Sequence, residues 1–132
     1  FWYGCPHCYS FEPHVEAWLK EKAEDVEFVR VPGVLSQGWI PHAKAFYVAD
    51  KLGIVDKIHR PLFNAIHKEK NPLNNENQLM DFFTHHGVSP AEFTRAFNSK
   101  EIDTKIRQAY FIARDYKLNG VPTIVVNGKG TP

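Results

Sequence analysis

The stretch FWYGCPHCYSF, residues 1–11, holds the chain's two cysteines, Cys5 and Cys8, three positions apart with Pro6 and His7 between them. Such a pair can be a redox dithiol, half of a metal site or a short structural disulfide, and its surroundings decide. Apolar residues at Cys8, Phe11, Val15, Trp18 and Leu19 fall at the spacing of one helical stripe, predicting a helix from Pro6 to about Lys22. The helix therefore begins at the motif, with Cys5 at or beside its N-cap. Pro13, inside it, removes the amide that would bond to Tyr9 and predicts a kink.

A helix start leaves backbone amides without intrahelical partners, and their field favours negative charge. On this reading the Cys5 sulfur is within reach of the His7 and Cys8 amides, and its thiolate is favoured. Cys8, one turn further in, is expected to stay protonated and act second. The dipole contributes ~0.3–1 kcal/mol when exposed and up to ~2 when partly buried. A stronger preference needs direct amide hydrogen bonds to sulfur and a nearby positive charge, for which His7 is the ionisable residue at hand. Pro6 presets the first helical turn without removing a needed donor. Stabilising the thiolate makes the disulfide easier to reduce, hence a better oxidant of other thiols.

Outward from the motif, "VEFVRV" at residues 26–31 alternates and is rich in β-branched residues before Pro32-Gly33, predicting a strand. Ala43, Phe46, Tyr47 and Ala49 suit a helix stopped near Gly53, and Leu62, Phe63 and Ile66 another after Pro61. Leu79, Phe82 and Phe83 mark a third, closed by Gly87. Ser89-Pro90-Ala91-Glu92 combines an N-cap serine, a first-turn proline and a capping-box glutamate, so a helix starts there with Phe93, Ala96 and Phe97 on its buried face. After Ser99, Ile102, Ile106, Ala109, Tyr110 and Ala113 define a longer helix ending near Asn119-Gly120. A strand is expected from about Thr123, and Asn127-Gly128 is a hairpin signal.

At 132 residues, 43% of them apolar and ten of them phenylalanine, the chain can fill one core but not two. A formal charge of +1, with no run of five or six like charges, argues against nucleic acid as a partner. No stretch reaches eighteen consecutive apolar residues, so no membrane-spanning helix is predicted within this segment.

The motif, the helix with its internal proline, the helical region after "VEFVRV" that includes "KIHRPLFNAIH", and "NGVPTIVVNGK" together resemble the thioredoxin superfamily. The Cys-Pro-His-Cys motif looks specifically like the bacterial DsbA thiol:disulfide oxidoreductases. The resemblance implies an α/β thioredoxin-like fold with an inserted helical domain: residues 1–38 and 106–132 form the thioredoxin-like parts and 39–105 the insertion. Only Phe1-Trp2-Tyr3 precede Gly4 where the family has its central strand, and the family's closing strand and helix would follow Lys129, so the chain is expected to be truncated at both ends. Cys5 maps to the substrate-linked cysteine and Cys8 to its buried partner. Pro122, after Val121, maps to a cis proline beside which an extended substrate would pair. Arg30 maps to the basic counterpart of the acidic residue that the family carries in that central strand, beneath the active site. A periplasmic enzyme is implied, oxidising newly exported or unfolded cysteine-containing proteins and reoxidised by a membrane oxidase of the DsbB type; a monomer is the expectation.

Structural zinc usually takes four ligands, and here two of the seven histidines would have to complete the shell. The catalytic dithiol is the preferred reading, with no metal or organic cofactor beyond the Cys5–Cys8 disulfide itself. A reductase or isomerase, or a noncatalytic peptide-binding module, are the competing functions. The histidines other than His7 read as surface residues. Trp2, Trp39 or Phe63 could extend an apolar substrate surface.

Overall fold

The computed structural model of the chain describes residues 1–126 and the backbone of 129 and 130. Six helices account for most of it: α1 (Pro6–Glu21), α2 (Ile40–Lys51), α3 (Val55–His67), α4 (Glu76–Thr84), α5 (Pro90–Phe97) and α6 (Lys100–Asp115). A short 3-10 turn, Gln37–Trp39, leads into α2. Two strands, β1 (Val125–Val126) and β2 (Lys129–Gly130), pair antiparallel with Val125 opposite Gly130. The hairpin signal at Asn127-Gly128 lies outside the described residues.

Local chemistry sets the helix ends. Asn75, Ser89 and Ser99 cap α4, α5 and α6, their side chains accepting from the amides of Gln78, Glu92 and Ile102. At the other end of α2, Gly53 adopts φ 71° while the Ile54 amide reaches back to the Ala49 carbonyl. Gly87, at φ 93°, follows α4 with the equivalent bond from Val88 to Phe83.

Three expectations are corrected here. The helix after Ser99 ends at Asp115, because Lys117 takes the left-handed conformation (φ 55°) and Leu118 bonds to Ala113, completing the same closing motif before Gly120 is reached. The helix placed after Pro61 starts at Val55 and carries Pro61 inside it. Residues 26–31 form no strand among the described residues, so the expected α/β layering is reduced to helices with one two-residue ladder. A strand needs a neighbour, and apart from a local turn from Val26 to Ala23 the backbone bonding here, among the described residues, is with Phe1: its nitrogen donates to the Val31 carbonyl at 3.1 Å, and its carbonyl accepts from Gly33. That pair of bonds has the slant of parallel pairing, one residue long. Val29 is accordingly 67% exposed.

The core lies among α2 to α5, the start of α6 and the residues before α1. Phe46, Val48, Ile58, Leu62, Phe63, Leu79, Phe83, Phe93 and Ile102 are buried there, and Phe83 meets Phe93 at 4.9 Å between ring centroids. Each such side chain contributes roughly 1.5–3 kcal/mol on leaving water. Helix α1 runs unbroken through Pro13 and packs on α3, burying Cys8 and Glu12 rather than the whole predicted stripe. Trp18, at the far end of that stripe, is 44% exposed.

Candidate active site

Cys5 is the N-cap of α1 in extended conformation (φ −88°, ψ 119°), and Pro6 occupies the first helical position. Pro6 and His7 are exposed on the first turn, whereas Cys5 and Cys8 are buried, both as free thiols. The expected amide hydrogen bonds to the Cys5 sulfur are not formed. Instead Cys5 Sγ turns to the Val121 carbonyl, 3.8 Å away, as a thiol donor. The Val121–Pro122 bond is cis. The structure thus joins residues 116 positions apart: the start of α1 and the loop after α6 meet at Cys5. Val121 is half-buried against the core and Pro122 is exposed, leaving the loop open to solvent beside the thiol.

Burial pushes the Cys8 thiol up to about 11, despite the Trp2 amide facing its sulfur and favouring the anion. At neutral pH it is therefore protonated.

Beneath the dithiol lies a charged cluster. Glu12, one helical turn after Cys8, is buried; its Oε1 is 2.6 Å from Arg30 Nη2 and 3.0 Å from His59 Nε2. The imidazole is close enough for an ion pair but lacks the alignment of a good hydrogen bond. Burial alone would raise the Glu12 carboxyl, but His59 and Arg30 outweigh it and hold it below the usual range. Burial lowers His59, against the pull of Glu12. His59 Nδ1 shares a 2.8 Å hydrogen bond with the Tyr3 hydroxyl, and His67 Nε2 lies 2.6 Å from the Tyr3 carbonyl.

Several residues of this cluster escaped the sequence reading. Arg30 pairs with an acid, but that acid is Glu12 in α1, a charged residue in the predicted apolar stripe at i+4 from Cys8. That position was the available signal. His42 and His59 are only 4% exposed, correcting the assignment of the remaining histidines to the surface. Of the three aromatic candidates for a substrate surface, Phe63 belongs to the core at 1% exposure, while Trp2 and Trp39 are half-buried and stacked, 4.5 Å apart with planes 9° from parallel.

Two clefts, of about 390 and 360 Å³, flank the Glu16–Arg60 ion pair between α1 and α3, and neither is lined by the cysteines. Among the described residues no group of three or more His, Cys, Asp or Glu side chains is arranged to hold a metal ion, and no helix is long and apolar enough to cross a membrane.

Comparison with known proteins gives consistent matches. A family model described as "DSBA-like thioredoxin domain" matches residues 35–132. The chain is 44% identical over 129 residues to the thiol:disulfide interchange protein DsbA of Burkholderia cepacia, covering 98% of the chain and 61% of that relative. It is 40% identical to the protein of the same name from Pseudomonas syringae pv. tomato, covering 60% of it. The chain thus spans about three fifths of the length of these relatives. Among solved structures, Pseudomonas aeruginosa DsbA superposes with a TM-score of 0.91 at 40% identity, over 98% of this chain and 67% of that one. Proteus mirabilis DsbA, solved with the non-covalently bound peptide PWATCDS, gives 0.83 at 25% identity, over 98% of this chain and 71% of that one.

Proposed function

Because the chain belongs to the family of DSBA-like thioredoxin domains, we propose that it is a thiol:disulfide oxidoreductase that donates a Cys5–Cys8 disulfide to exported proteins. The observation that carries this reading is the meeting of Cys5, at the head of α1, with the carbonyl before a cis proline, while the protonated Cys8 lies buried behind it.

In the reaction, a substrate thiolate attacks Cys5 Sγ of the oxidised protein. The Cys5–Cys8 bond breaks, and the Cys8 sulfur leaves with the electron pair and takes up a proton. A second substrate thiolate then attacks the substrate sulfur of the mixed disulfide and expels Cys5. Two electrons pass from two substrate thiols to the protein's disulfide, and the substrate gains one S–S bond. Departure of Cys5 is favoured by its place at the helix start, where the amide field stabilises the leaving anion. Pro6 fixes that first turn, and exposed His7 adds positive charge beside it when protonated. The open backbone at Val121 and Pro122 receives the extended substrate by main-chain pairing, which suits varied sequences.

In this reading α2 to α5 belong to a helical domain, residues 39–105, inserted between thioredoxin-like parts 1–38 and 106–132. Helices α2 to α5 pack on one another within the inserted unit, and α2 also packs on α6 across its boundary. The site is periplasmic, the protein monomeric, and a membrane oxidase of the DsbB type restores the disulfide. No metal or organic cofactor takes part.

Equilibration with glutathione tests the proposal. The expected result is a disulfide strongly oxidising toward glutathione, with all exchange lost in Cys5→Ala. A potential near that of thioredoxin, about −270 mV, would point to a reductase. Peptide binding unchanged in Cys5→Ala, with no exchange in the wild type, would leave only a binding module.

A further inference from the structure

Trp2 is tied to Cys5 through its backbone. Its carbonyl accepts the Cys5 amide at 3.0 Å, in the turn that sets Cys5 at the head of α1. The side chain is what anchors it. Indole Nε1 donates to His42 Nδ1 at 2.9 Å, and His42 Nε2 lies 3.0 Å from the Pro72 carbonyl. With Nδ1 accepting and Nε2 donating, His42 is the neutral Nε2–H tautomer, the form its burial also favours. Trp39 stacks on the indole, and the absence of a side chain at Gly4 leaves the ring its space: a Cβ there would lie 2.3 Å from Trp2 Cζ2.

Resting on the exchange reaction above, we propose that His42 and Trp2 are positioning residues for the dithiol. Helix α2, through His42, holds the Trp2 indole and with it the turn from the Trp2 carbonyl to the Cys5 amide, so that Cys5 stays at the head of α1. The free amides of a helix start favour an anion over a disulfide sulfur, so holding Cys5 there favours the reduced state.

The test is glutathione equilibration of the full chain as wild type, His42→Leu, His42→Asn, Trp2→Phe and the Trp2→Phe/His42→Leu pair. Loss of one such contact is expected to move the equilibrium constant roughly three- to tenfold toward the disulfide in His42→Leu and in Trp2→Phe. The double variant should be no worse than either single one, and His42→Asn, which keeps an acceptor near the Nδ1 position, should restore most of the shift. Wild-type equilibria in both single variants, with only thermal stability lowered, would reduce the pair to a packing role and overturn the proposal. Should His42→Leu fail to fold, Trp2→Phe decides alone, since it removes the indole donor and keeps an aromatic ring against Trp39. A wild type that exchanges no disulfide with glutathione would refute the functional reading itself, a result distinct from variants that merely match an active wild type.

Discussion

Replacing Arg30 by Met removes one of two partners from a buried carboxylate while keeping most of the side chain's length. Glu12 and Arg30 side chains are 9% and 16% exposed, and their closest approach is 2.6 Å. Stripping one partner from a buried pair costs about 3–5 kcal/mol when nothing replaces it. Here something can. His59 Nε2 stands 3.0 Å from the same oxygen, and it is kept neutral first by burial and then by the charge of Arg30. Without Arg30 the imidazole takes a proton more readily and becomes the counter-ion. Loss of the guanidinium over the Phe28 ring, 5.2 Å from its centroid, adds about 0.5–1 kcal/mol.

The cost should therefore depend on pH in a defined direction. At pH 8 the imidazole is neutral in both proteins, so nothing replaces the guanidinium and Arg30→Met should lose about 3.5–6 kcal/mol from the two contributions together. At pH 6 the variant's His59 is protonated more than the wild type's, and the loss should shrink to about 1–2 kcal/mol. Urea unfolding of both proteins at the two pH values measures it. Adding Glu12→Leu should recover most of the loss, because no carboxylate is then left buried. A loss below about 1 kcal/mol at pH 8, or one of equal size at both pH values, would refute the reasoning.

Acid should destabilise the wild type in two stages. His42 and His59 have folded values below the ordinary histidine value, so the unfolded chain binds more protons and stability falls as pH drops below about 6.5; Glu12, also depressed, loses its contribution as pH falls below about 4.3 toward its folded value. An unfolding midpoint that stays flat from pH 7 to 4 would contradict both placements. Gly4→Ala should cost about 1–3 kcal/mol and alter tryptophan fluorescence, because the new methyl collides with an indole fixed by Trp39 and His42; thermal unfolding and emission spectra check it. Ser89→Ala should cost about 1 kcal/mol in thermal unfolding by leaving the Glu92 amide without its cap.

What could be read from the sequence was what short-range chemistry fixes. Ser89 and Ser99 announce their helices because a cap needs only a hydroxyl and an amide three residues on. The Cys5–Cys8 pair declares itself by spacing and by the helix that follows. Pro122 was legible through resemblance alone, since a trans proline at a strand entrance reads the same. The misreadings needed a partner distant in sequence. Alternation in residues 26–31 describes a strand only if a neighbour runs beside it, and here that neighbour is Phe1. A charged residue in an apolar stripe looks like a break in the pattern until Arg30 and His59 arrive to neutralise it. Lys117 closes α6 although glycine is the usual residue there; its left-handed conformation costs less than the carbonyls it satisfies are worth.

Those distant partners share an origin. Trp2 is fastened by His42 of α2, while Tyr3 is fastened by His59 through its hydroxyl and by His67 through its carbonyl, both from α3. The sequence separations are 40, 56 and 64 residues. These bonds tie the backbone around Cys5 to helices formed much later in the chain. Loop closure over such distances must precede any of these contacts, so the dithiol acquires its geometry only after α2 and α3 have docked. It follows that α2 and α3 are part of the construction of the proposed site, and that changes confined to their histidines should reach the cysteines without touching them.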